Sequence, residues 1–130
     1  MGAWGLGTFE NDDALDWRIE LLREDDLEPV LSAFSEIKQS DYLELPECCY
    51  ALAAAEVVAA LKGNPSDTLP KDVIAWITSH PLIIDEPLIK DAEIVIEKIR
   101  SDSELQELVE ETGRLDKWYM TLDDLLSRLK

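Results

Sequence analysis

The sequence has 130 residues, a length that favours one domain because a single core usually serves about 100–200 residues. Its 29 Asp and Glu residues outnumber 12 Lys and Arg residues, and the formal net charge is −17. This charge argues against nucleic acid and membrane partners, since both are polyanions that proteins bind mainly through basic residues. Leu, Ile, Val and Phe make up 38 of the 130 residues, too many for a disordered chain, so the sequence is predicted to fold.

The first two predicted helices follow a Gly-rich N-terminal segment. Asn11 or Asp12 can cap the first helix, which is expected to end near residues 23–25. Asp25 or Asp26 can cap the second helix. The apolar face of the second helix repeats at intervals of three and four residues and comprises Leu27, Val30, Leu31, Phe34 and Ile37.

The third helix is predicted to run from Pro46 to Lys62 and to end at Gly63. Nearly every residue between positions 48 and 61 is apolar, and many are Ala, so this helix is expected at the centre of the bundle. The adjacent Cys48 and Cys49 are expected to be reduced and buried, because a disulfide between neighbouring cysteines would strain the peptide between them.

Four further helices are predicted in the second half of the chain. They are expected to begin near Pro70, near Asp85, at Ser101 and near Leu115. Ser101 followed by Glu104 is a capping-box signature, and the last helix can break at Thr121. No period-two alternation indicates a strand. The prediction is a single all-α domain over residues 1–130, a compact bundle of about six to seven helices around the Ala-rich helix, with the Gly-rich segment packed on it.

Glu56 is the one charged residue in the apolar third helix. Its neighbours three and four residues away are Leu52, Ala53, Ala59 and Ala60. A buried carboxylate is costly unless it is paired and hydrogen-bonded, so Glu56 needs a partner from elsewhere in the chain. We interpret Glu56 as a buried polar anchor that accepts hydrogen bonds from the backbone N–H groups of Gly5 and Gly7 or from the indole of Trp4.

A functional interpretation of Glu56 stays open beside the structural one. An inward-facing Glu can act as a general base or a metal ligand in a helical bundle, but di-metal bundles combine several Glu with a Glu-x-x-His pair. The only histidine, His80, is placed in a loop. We therefore predict no catalytic residue, no metal and no cofactor. The alternative is a small-ligand or metal-binding protein or an enzyme centred on Glu56 and the Gly-rich segment.

The Gly-rich segment, residues 2–9, resembles a phosphate-binding loop only superficially. It lacks the third Gly of a dinucleotide fingerprint and the Lys of a P-loop. We predict an N-terminal plug formed by Trp4, Gly5, Gly7 and Phe9, in which the apolar side chains enter the bundle. The glycines are expected to permit positive φ angles and close backbone approach.

Acidic residues recur every four positions along the first helix, at Asp12, Asp16, Glu20 and Glu24. Like charges at this spacing destabilise a helix by about 0.2–0.5 kcal/mol per pair, so folding does not require the arrangement. One interpretation is a solvated face of an acidic protein. The other is a candidate acidic docking face, whose potential would attract a basic protein.

Three segments have a distinctive composition. They are residues 1–17 (MGAWGLGTFENDDALDW), residues 45–60 (LPECCYALAAAEVVAA) and residues 69–76 (LPKDVIAW). Together they resemble a bacterial family described as domain of unknown function 4259. The resemblance implies a small bacterial protein but brings no activity with it. Residues 1–9 carry neither the positive charge nor the apolar core of a signal peptide, which also favours a cytoplasmic location.

These observations together favour a non-enzymatic, acidic bacterial protein that acts by protein–protein interaction. One concrete form is an immunity or inhibitor protein whose acidic surface complements a basic toxin or nuclease.

Overall fold

The computed structural model describes residues 5–130, which form seven α-helices. They are α1 (Asp12–Leu22), α2 (Glu28–Gln39), α3 (Leu45–Leu61), α4 (Lys71–Ser79), α5 (Glu86–Ser101), α6 (Glu104–Glu111) and α7 (Leu115–Leu129). This part of the chain contains no β-strand, so the predicted all-α fold is confirmed. Within the same residues, no helix combines the length and the apolar character that crossing a membrane requires.

Helix α3 lies at the centre and contacts each of the other six helices. Every residue from Ala51 to Ala60 is buried, as are Cys48 and Cys49. The run of alanines allows neighbouring helices to approach from all sides, because a methyl side chain adds little to the helix radius. The prediction that the Ala-rich helix is the centre of the bundle is confirmed.

The helix ends follow local capping rules where the sequence is unambiguous. The Asn11 side chain accepts a hydrogen bond from the Ala14 N–H at 2.7 Å and caps α1, and Asp85 caps α5 in the same way. Helix α3 ends at Leu61, and Gly63, two residues later, has a φ of +102° in the left-handed region. The Asn64 N–H then bonds back to the Ala59 carbonyl at 2.9 Å, which closes the end of α3.

Helix α6 begins differently from the capping-box prediction. Ser101 is the last residue of α5, and Ser103 is the cap of α6, its hydroxyl accepting a hydrogen bond from the Gln106 N–H at 3.0 Å. The Glu104 carboxylate accepts a hydrogen bond from the Leu45 N–H at 2.6 Å and so stabilises the start of α3. The predicted box is wrong because a tertiary contact, absent from local sequence, engages this Glu.

Two further boundaries differ from the prediction. The N-cap of α2 is Leu27, while Asp26 accepts a hydrogen bond from the Glu28 N–H at 3.0 Å just before the helix. Helix α7 continues through Thr121, whose hydroxyl donates to the Lys117 carbonyl at 3.2 Å. A threonine that bonds back four residues fits inside a helix, so α7 has no break there.

Candidate functional site

Glu56 is the most deeply buried carboxylate of α3, with 2% of its surface exposed. Arg128 on α7 donates to it through two nitrogens, with Nη1 2.7 Å from Oε1 and Nη2 2.9 Å from Oε2. The Thr8 hydroxyl donates to Oε2 at 2.8 Å. Both carboxylate oxygens therefore have partners, and the salt bridge is bidentate, the geometry that suits a guanidinium best.

Arg128 has further hydrogen-bond partners, one on its side chain and one on its main chain. Its Nε lies 2.9 Å from an oxygen of Asp124, one helical turn earlier. The Asn64 side chain donates to the Arg128 carbonyl at 2.9 Å, just beyond the end of α3. The hydrogen bond with Glu56 is the main cause of a raised pKa for the Arg128 guanidinium. This network links the N-terminal segment, the middle of α3 and the end of α7.

The expected partners of Glu56 were only partly correct. The Gly7 N–H donates to the Glu10 carboxylate at 2.8 Å and does not reach Glu56. Trp4 lies outside the described residues. The donor from this segment is the side-chain hydroxyl of Thr8, a residue that is 6% exposed. A backbone N–H had been the expected donor.

The predicted plug residues that the structure describes lie beside this network. Phe9 is buried in the core, and Gly5 and Gly7 are half-buried. A Cβ atom on either glycine would collide with the Glu10 side chain, which folds back over the segment. Among the described residues only Gly63 and Gly113 have positive φ, so the expected positive φ at Gly5 and Gly7 is wrong, and close approach is the reason for glycine there.

An apolar cavity of about 170 Å³ lies under the N-terminal segment. Its walls come from that segment and from α3, α6 and α7, and include Leu6, Cys49, Leu52, Val109, Trp118 and Leu122. Arg114, the residue before α7, is the one charged residue among the described residues that line it. Sequence reasoning missed this cavity, because no local pattern marks a gap between four separate segments.

The residues of the predicted acidic docking face are all exposed. Asp12, Asp16 and Glu20 lie on α1, whereas Glu24 follows the end of the helix. Glu20 and Glu24 border a groove between α1, α2 and the start of α3, but Asp12 and Asp16 do not line it. Only Glu20 and Glu24 of the predicted face therefore contribute to this groove.

We call this groove the acidic groove, lined by Trp17, Glu20, Glu24, Glu28, Pro29, Ser32, Ala33, Glu36, Glu47 and Tyr50. Its five carboxylates come from three parts of the chain, and none of them forms a salt bridge with a residue in the 5–130 range. Burial first, and then the charges of Glu44 and Glu36, raise the pKa of Glu47. The groove thus has a negative potential that no salt bridge within residues 5–130 neutralises.

The family model "Domain of unknown function (DUF4259)" matches residues 2–121. The chain belongs to this family. A search of the curated proteins and a search of the solved structures found no match. The match to DUF4259 includes Thr8, Glu56 and the acidic groove, whereas Arg128 lies beyond its last residue, 121. The family description names no activity.

Proposed function

We propose that this DUF4259 protein is a non-enzymatic protein of the bacterial cytoplasm that binds a basic protein through the acidic groove. The observation that supports this most is the set of five groove carboxylates without a salt bridge in the described chain. Carboxylates held together on one surface repel each other, and a cationic partner would relieve that repulsion.

The chemistry of the groove indicates what such a partner would present. Trp17 and Tyr50 contribute aromatic surface between the acidic walls. A segment rich in Lys and Arg could place its charges on the Glu side chains and its aliphatic stems or guanidinium planes on the aromatic rings. A basic toxin or nuclease with such a segment would suit an immunity or inhibitor role, the concrete form of this proposal.

The same proposal makes Glu56 a buried structural anchor and the Gly-rich segment a plug that supports it. The Glu56 carboxylate oxygens accept three hydrogen bonds from Arg128 and Thr8. Because these contacts occupy both oxygens, they oppose a role of Glu56 as general base or metal ligand. The enzymatic alternative centred on Glu56 has no comparable support from the geometry.

The test uses a synthetic amphipathic Lys/Leu peptide as the cationic probe and a Glu/Leu peptide of equal length as its counterpart. We expect the Lys/Leu peptide to bind and to shift the amide NMR signals of groove residues. The affinity should fall as salt is raised, since exposed charges are screened. A groove variant carrying Glu20→Gln, Glu24→Gln, Glu28→Gln and Glu36→Gln should bind about fourfold to several hundredfold more weakly, because each of the four lost ion pairs contributes about 0.2–1 kcal/mol.

A matched variant distinguishes this groove from net charge alone. The control variant also loses four negative charges, but from exposed positions outside the groove. It carries Glu107→Gln, Glu110→Gln, Glu111→Gln and Asp116→Asn. This control variant should keep nearly all of the affinity. Equal losses in the two variants, or signal shifts centred away from the groove, would contradict the proposal.

A further inference from the structure

We propose that the apolar cavity under the N-terminal segment is a binding site for a small monocarboxylate, with its hydrocarbon part in the cavity and its carboxylate on Arg114. This site is separate from the acidic groove and does not depend on the proposed function.

The size limits the ligand. The cavity volume is about 170 Å³, and an apolar protein cavity of about 150 Å³ stays dry and binds benzene. The site therefore suits a ligand with on the order of six to eight non-hydrogen atoms. A straight chain such as hexanoate meets this limit.

The walls favour a hydrocarbon. Leu6, Leu52, Val109 and Leu122 contribute aliphatic surface, and Trp118 contributes an aromatic face. These side chains come from four parts of the chain: the N-terminal segment, α3, α6 and α7. Burying a ligand methylene against such walls is worth about fourfold in affinity.

The polar side chains that line the cavity indicate which charge a ligand should carry. The Thr8 hydroxyl donates to Glu56, the Asn11 side-chain oxygen accepts from Ala14, and the Thr112 hydroxyl donates to the Val109 carbonyl. Arg114 forms no salt bridge within residues 5–130. Among the described residues, Arg114 is thus the one charged residue at the cavity, and no carboxylate pairs with it. It makes an anion the preferred end of the ligand.

The experiment titrates the full chain with butanoate, hexanoate and 1-hexanol and follows backbone and indole N–H signals by NMR. We expect hexanoate to shift the signals of Leu52, Val109 and Trp118. The affinity should rise about fourfold per methylene from butanoate to hexanoate. Arg114→Gln should weaken hexanoate about tenfold, because a hydrogen bond to a charged group is lost, and should change 1-hexanol little.

Two kinds of variant serve as controls. Arg23→Gln removes an exposed arginine that also lacks a salt bridge in the described chain, and it should leave hexanoate binding unchanged. Leu108→Trp and Val109→Phe place larger side chains in the lining and should abolish binding of both hexanoate and the alcohol.

Three results would overturn the proposal. They are the absence of shifts at cavity residues in the unmodified chain, hexanoate binding that survives in a folded filled variant, and equal loss from Arg114→Gln and Arg23→Gln. The location of the shifts in the unmodified chain decides the matter even if both filled variants fail to fold.

Discussion

Glu56 on α3 and Arg128 on α7 form a bidentate salt bridge across 72 positions of sequence, with nitrogen–oxygen distances of 2.7 and 2.9 Å. The two ends of this pair differ in their surroundings. The Glu56 side chain is 3% exposed, whereas the Arg128 side chain is 17% exposed and also contacts Asp124. The carboxylate thus depends on the guanidinium more than the guanidinium depends on the carboxylate.

This asymmetry predicts unequal effects of two substitutions. Arg128→Gln leaves a buried carboxylate without its cation and should lower the free energy of unfolding by about 3–5 kcal/mol. Glu56→Gln should cost less, because Arg128 keeps Asp124 and some solvent. Urea unfolding of both variants measures the difference. As a control, Arg100→Gln removes a partly exposed pair with Asp123 and a contact with the Tyr119 ring at 4.7 Å, and it should cost about 1–2 kcal/mol. Equal losses of unfolding free energy in the Arg128→Gln and Arg100→Gln variants would contradict the prediction.

The hydroxyl of Thr8 gives a second prediction for the same network. Thr8→Val keeps the shape of the side chain but removes the donor to Glu56, which should cost about 1–3 kcal/mol in the free energy of unfolding. Thr78→Val is the matched control, because Thr78 is exposed and, within residues 5–130, its hydroxyl bonds only to the Ile74 carbonyl of its own helix. We expect that control to change stability by less than about 0.5 kcal/mol. Equal effects from the two valines would argue against a contribution of the Thr8 hydroxyl.

Local signals in the sequence were sufficient for most of the fold. Asn11, Asp85 and Gly63 act on the few residues next to them, so their roles as helix ends could be predicted. The choice between Ser101 and Ser103 as the cap of α6 was ambiguous, because Ser101–Glu104 and Ser103–Gln106 both match the capping-box spacing, and the Glu104 carboxylate is engaged by the N–H of Leu45. That contact joins residues 59 positions apart.

The candidate sites show a still clearer difference between what local sequence predicts and what depends on tertiary contacts. The sequence marked Glu56 because it interrupts an apolar helix, but Arg128 had the signature of an ordinary surface arginine, four residues after Asp124. The Glu20 and Glu24 pair was visible as part of a stripe, whereas Glu36 and Glu47 join the groove only when α2 and α3 pack against α1. Salt-bridge partners and grooves depend on which helices pack against each other, and this cannot be predicted from the local pattern of a single sequence.

The thiols of Cys48 and Cys49 give a prediction about reactivity. Burial raises the pKa of Cys48 to about 11 and that of Cys49 to about 12. Since the thiolate is the nucleophile, both should react very slowly with iodoacetamide near neutral pH while the protein is folded. Modification should become fast in urea above the unfolding midpoint, and mass spectrometry would measure both rates. Rapid modification of the folded protein would show that these thiols are accessible.

His80 gives a prediction about pH. Its Nδ1 lies 2.8 Å from the Trp76 carbonyl oxygen and its Nε2 lies 3.0 Å from a carboxylate oxygen of Asp25. Both partners are acceptors, so only the doubly protonated ring can donate to both. The hydrogen bond to Asp25 is the main cause of the raised pKa of His80. The resulting stabilisation should be complete below about pH 6.5, the ordinary value, and should be lost as the pH rises through the higher pKa of the folded protein.

An NMR titration of the ring signals measures this directly, because His80 is the only histidine in the sequence. We expect a pKa above that of an unstructured peptide, and a lower one in Asp25→Asn. Asp67→Asn removes an exposed carboxylate with no salt bridge inside the described chain, and it should lower the pKa of His80 less. If the two Asn variants shift the titration equally, the overall negative charge raises the pKa of His80 and the contact with Asp25 does not. The stability difference between the unmodified chain and His80→Gln should also shrink as the pH rises, because the ring then loses its second proton and one of its two donated hydrogen bonds.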